Sequence, residues 1–157
     1  MKTNIRIAAL LLAVLFICLF TACGAKEPAK VDLTAVKEAV FAAGKFPEMT
    51  VRPPEMVYDF YGIDPETCPQ LFDYVTEDGL LAEELLLLEA KDEALAKQYA
   101  ASLKDQLAVL ADNYRDYMPE EYSKFTSAVV KQTGKYVIMI VSDDAQALYS
   151  EAAKLLK

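Results

Sequence analysis

The sequence predicts an α+β domain: an antiparallel sheet of about four strands, formed by two hairpins, with one long helix and shorter helices packed on one face. Two observations carry this reading. Leu95, Tyr99, Leu103, Leu107, Leu110 and Tyr114 recur every three or four residues, giving one apolar helical stripe from Glu93 to about Tyr117. Elsewhere apolar runs with a strand-like period flank the turn dipeptides Asp78-Gly79 and Thr133-Gly134.

Before that domain comes an address. Lys2 and Arg6 precede an uncharged apolar run, Ile7 to Phe20, the layout of a secretory signal peptide. Leu19-Phe20-Thr21-Ala22-Cys23 closes it and resembles the lipobox of bacterial lipoproteins, with Phe20 at the place where Leu is usual. The resemblance implies cleavage after Ala22, a diacylglyceryl group on Cys23, and attachment to the extracytoplasmic face of the membrane. The alternative is an uncleaved anchor, because the uncharged run from Ile7 to Ala25 approaches the ~20 residues that a membrane span needs. The expected organisation is therefore a signal peptide at 1–22, a lipidated Cys and flexible tether at 23–31, and one domain at 32–157.

The elements follow in order. Asp32 is a candidate N-cap for a helix from Leu33 to Ala43, with Leu33, Val36 and Val40 on one side and Gly44 as its stop. Met49 to Val51 is a short extended piece. Pro54 opens a second helix that Gly62 ends, and Asp64-Pro65-Glu66 marks a single turn. Leu71 to Thr76 alternates as a strand, and Leu81 to Glu89 is its hairpin partner despite the helix-forming run Leu85 to Leu88. Asp92 caps the long helix and Pro119 closes it. Phe125 to Lys131 and Tyr136 to Val141 form the second hairpin, and Asp143 or Ser142 caps a last helix carrying Leu148, Ala152 and Leu155.

Composition restricts the chemistry. The formal charge is −8, and it becomes −10 once Lys2 and Arg6 leave with the signal peptide. Such a surface is a poor ligand for nucleic acid or an anionic bilayer, so membrane contact is expected through the lipid. With no histidine, neither a Ser-His-Asp nor a Cys-His mechanism nor a His-containing zinc site is available. Three cysteines reduce to Cys68 alone, expected as a buried or half-buried side chain. No cofactor and no metal is expected. Glu83-Glu84 reads as the solvated start of a strand or as a functional acid if Glu84 turns inward near a base such as Arg115. Asp143-Asp144 reads more readily as a helix cap than as a calcium ligand pair.

The order of Tyr61-Gly62-Ile63-Asp64, Ala82 to Ala90, the long helix, Tyr117-Met118-Pro119-Glu120 and Lys131 to Val137 resembles the domain-of-unknown-function family 4358, small lipoproteins of Gram-positive bacteria. That resemblance supports the strand at Leu81 to Glu89 and the exported location, and implies no activity. Three function classes stay open. The first is a non-catalytic binding or assembly module that docks an envelope protein or peptide on an open sheet face or edge strand, using Leu85 and Leu87. The second is a ligand-binding or inhibitor-like lipoprotein for a cell-wall fragment or peptide, with a pocket drawn from tyrosine clusters that include Tyr58, Tyr61 and Tyr117. The third is a carboxylate-dependent hydrolase, which needs two acids converging in a cleft; the sequence shows acids but no such convergence, and Glu84 counts as a candidate binding residue.

Overall fold

Asp32 accepts a hydrogen bond from the Thr34 N–H and opens α1, Leu33–Ala43, whose inward residues are Leu33, Val36 and Val40. The structure, a computed structural model, describes residues 30–156. The expected signal peptide, lipobox and lipidated Cys23 lie outside the described residues.

After α1 the chain forms β1, Met49–Val51, and then α2, Pro54–Tyr61. Gly62 ends α2 in the left-handed region at φ 66°, its N–H bonded to the Tyr58 carbonyl. One 3-10 turn, Pro65–Thr67, leads into β2, Gln70–Thr76. Next come β3, Glu84–Glu89, and α3, Glu93–Tyr114, which is capped by Asp92 as expected. α4 is Pro119–Ser127, β4 is Val129–Thr133, β5 is Tyr136–Val141 and α5 is Ala145–Ala152.

Among the described residues the sheet is antiparallel throughout, with five strands in the order β1-β2-β3-β5-β4. The fifth is the extended piece at Met49–Val51, which pairs with β2 from Met49↔Thr76 to Val51↔Tyr74. Helices pack on both faces, not on one. Leu86, Leu88, Val137 and Met139 meet residues of α2, α3 and α4. Leu85, Leu87, Ile138 and Ile140 meet α1 and α5.

The expected open face is therefore absent at Leu85 and Leu87, both 0 % exposed among Leu33, Val36, Val40 and Leu148. β3 and β5 are buried at every position. A strand covered on both sides has no polar face to display, so its sequence runs apolar without alternation. The leucine run marked a central strand, not an exposed one.

Local boundaries differ as well. Asp78-Gly79 does not make a two-residue hairpin: β2 and β3 are joined through residues 77–83, with Thr76 Oγ1 at 2.7 Å from the Asp78 carbonyl oxygen and 2.9 Å from that of Leu81. Pro119, expected to close α3, also opens α4, and it does so where the sequence pattern placed the approach to a strand from Phe125. α5 begins after Asp144 without a side-chain cap, and Leu155 is exposed.

Candidate functional site

The register of the sheet assembles a charged cluster on the α3 side. Asp73 occupies the same face of β2 as Leu71 and Val75, and it pairs with Leu86 while Val75 pairs with Glu84. Asp73 and Glu84 are thus diagonal neighbours, within reach of each other. Arg52 follows β1 directly, and its N–H bonds the Asp73 carbonyl at 2.8 Å. Its Nη1 then reaches Asp73 Oδ2 at 2.8 Å and Glu84 Oε1 at 3.1 Å. Tyr61, on the last turn of α2, donates its hydroxyl to the same Glu84 oxygen at 2.7 Å. The guanidinium carbon stands 4.8 Å from the centre of the Phe60 ring and 5.4 Å from that of Tyr61.

Burial governs the protonation of this group. Two carboxyls share one arginine with side-chain exposures of 0 % at Asp73 and 6 % at Glu84. Burial first, and then the Glu84 charge, push the Asp73 carboxyl up to about 9. Asp73 Oδ1 is buried and has no hydrogen-bond partner among the described residues. The nearby Glu84 side chain also favours the protonated form of Asp73. The Tyr61 phenol is held well above its ordinary value by burial and by Glu84. Arg52 loses solvation, yet Glu84 and Asp73 keep its guanidinium firmly charged.

A second cluster adjoins the first through Glu83. Lys124 of α4 contacts Glu83 Oε1 at 2.7 Å and Glu121 Oε1 at 2.9 Å. Glu121 Oε2 in turn accepts the Ala82 N–H at 2.7 Å, fixing α4 to the start of β3. Glu83 Oε2 is buried without a hydrogen-bond partner among the described residues.

Between these groups lies a cavity of about 340 Å³, within the range of ligand pockets. Its walls are Phe60, Tyr61, Leu110, Tyr114 and Phe125, and Arg52, Glu83 and Glu84 supply its polar end. Met56 and Phe60, among the rim residues, are exposed at 43 % and 51 %. Leu80, in the adjoining loop, is exposed at 53 %.

The family model described as a domain of unknown function (DUF4358) matches residues 42–142, about two thirds of the chain. The chain belongs to the DUF4358 family. The matched span of this DUF4358 domain contains the whole sheet and the entire cavity, but ends before α5. No curated protein and no solved structure matches the chain.

Within the DUF4358 domain the expected site residues separate. Glu84 and Tyr61 meet at the cavity, and the base beside Glu84 is Arg52, not Arg115, whose partner is Asp112. Leu85 and Leu87 are core residues and offer no surface. Tyr58 and Tyr117 are exposed at 56 % and 72 % and line no part of the cavity, whereas Tyr114 does. Cys68 is half-buried, and burial raises its thiol above the ordinary value. Arg52 and Asp73 were not singled out from sequence. The available signal was Asp73 itself, an acid placed two residues from Leu71 and from Val75 on the apolar phase of a strand.

Proposed function

We propose that this chain is a non-catalytic binding module, held at the extracytoplasmic face of the membrane by a lipid on Cys23, that takes an apolar group of a cell-wall fragment or peptide into the cavity beside Arg52. The observation that carries the reading is the aromatic wall, drawn from α2, α3 and α4, closed at one end by fixed charges. Apolar walls contribute affinity, and a few polar groups fix orientation. Exposed Met56 and Phe60 at the mouth add apolar area that a ligand would cover.

Docking on a sheet face has lost its support, since α1 and α5 occupy the face assigned to it. Acid–base chemistry has one feature in its favour, the convergence of Asp73 with Glu84. Against it, Asp73 does not line the cavity, and Arg52 and Tyr61 already engage the pair. The acids accordingly hold Arg52 and Tyr61 in place.

Titrating muropeptides and short apolar peptides into the protein, followed by NMR shifts of Tyr61, Tyr114 and Phe125, tests the pocket. Gly79 lines the cavity and a Cβ there meets nothing within 4 Å, so Gly79→Phe introduces a ring at the cavity border with no clash at its Cβ, and is expected to obstruct the mouth. Loss of binding in a folded Gly79→Phe variant is expected; unchanged binding would move the ligand elsewhere. Membrane attachment is read separately: Cys23→Ala should pass from the membrane fraction to the soluble one, and retention would favour an uncleaved anchor.

A further inference from the structure

We propose that the open edge of β4, with the groove beside it, docks an extended acidic peptide segment of a partner protein by strand addition. The two edges of the sheet are not alike. β1 is three residues long and lies between Pro47 and Pro53-Pro54, a short edge blunted by prolines. β4 is five residues long, has no proline, and among the described residues pairs only with β5; its side chains are buried at Val129 and Val130 and reach the surface from Lys131 to Thr133.

The hairpin register shows what β4 offers. Thr133 pairs with Tyr136 across a two-residue turn, with Lys131↔Ile138 and Val129↔Ile140 following on alternate positions. In such a ladder these residues bond inward to β5, which leaves Val130 and Gln132 with N–H and C=O groups directed outward. An added strand finds its backbone partners there.

Alongside runs a groove of about 720 Å³, between α3 and β4, with Leu107 and Ala111 supplying apolar wall. Its charge selects the partner. Lys104, Arg115 and Lys131 line it with Asp112 as the one acid, in a chain whose formal charge is −8. Asp112 pairs with Arg115, while Lys104 and Lys131 form no ion pair among the described residues. From Lys104 to Arg115 is roughly 16 Å at the helical rise, and five extended residues span about the same distance. β4 has that length. A lysine on an edge strand alone would be a guard against aggregation. Set with two further cations along a groove of mixed polar and apolar lining, it favours an acidic strand over a neutral or basic one.

The test uses the full chain in detergent micelles and two fluorescein-labelled probes, one alternating valine with glutamate and one alternating valine with lysine, read by anisotropy. The acidic probe is expected to bind at least tenfold tighter than the basic one and to weaken as salt rises. Lys104→Glu combined with Lys131→Glu should reduce its affinity at least tenfold. Gln132→Pro removes an outward N–H and spares the bonds to β5, so a comparable loss is expected with the melting temperature nearly unchanged. Should Gln132→Pro fail to fold, an acidic probe N-methylated at alternate amides replaces it and should lose binding. Equal binding of the two probes, full binding to Gln132→Pro, or full binding of the methylated probe would each overturn the proposal. So would sedimentation showing a dimer through β4 that the acidic probe cannot displace, because the occupant would then be a second copy.

Discussion

Asp73 decides the electrostatics at the residue scale. An acid whose folded value is raised from 3.8 to about 9 holds a proton in the native state over a range where the unfolded chain has released it. Stability from this group is therefore fully present below the unfolded value and is lost as pH rises through about 9. Urea unfolding at pH 5 and pH 8 should show the decline, after allowance for the other groups by comparison with Asp73→Asn. Asparagine cannot ionise, yet it can accept from Arg52 and donate to Glu84. The variant should flatten the pH dependence and be more stable than the parent at pH 8 by ~1 kcal/mol or more. A parent whose stability changed identically to Asp73→Asn between the two pH values would mean that Asp73 is ionised throughout.

At the scale of elements, the cavity depends on where α2 stops. Tyr61 is the last residue of α2, and Gly62 turns the chain away at φ 66°. An added Cβ would meet nothing within 4 Å, so Gly62→Ala carries no steric clash with the surroundings. What remains is the left-handed backbone, which costs a residue other than glycine about 1 kcal/mol. Thermal melting should fall by a few degrees, and the Tyr61 hydroxyl should keep its bond to Glu84. A loss several times larger would place Gly62 in a packing role that the open space around it does not suggest. Contacts across elements also explain why α4 belongs to the site at all. Its Lys124 and Glu121 reach across to Glu83 and to the Ala82 N–H, tying the helix to the strand that carries Glu84.

On the scale of the whole molecule, two helical layers enclose one sheet, and the four leucines of β3 are 0 % exposed. Leu87→Ala should cost ~2–5 kcal/mol in denaturant unfolding through lost burial and the cavity left behind. Leu87→Asp should abolish the cooperative transition, because it places an unpaired charge in the core. If both variants kept the parent's stability, Leu87 would be a surface residue and the second helical layer would be misplaced. The sequence by itself determined the class, α+β and antiparallel, because helical and strand periodicities, the Asp32 and Asp92 caps, and glycine turns are local properties written every few residues. It also determined the family, through the order of its motifs. Only the tertiary structure decided which faces are covered, since the run Leu85 to Leu88 reads alike whether a second layer of helices is present or a partner is awaited. The charged end of the cavity was decided there too. Arg52, Tyr61, Asp73 and Glu84 come from four separate segments, and strand register, not spacing along the chain, brings one guanidinium to two carboxyls.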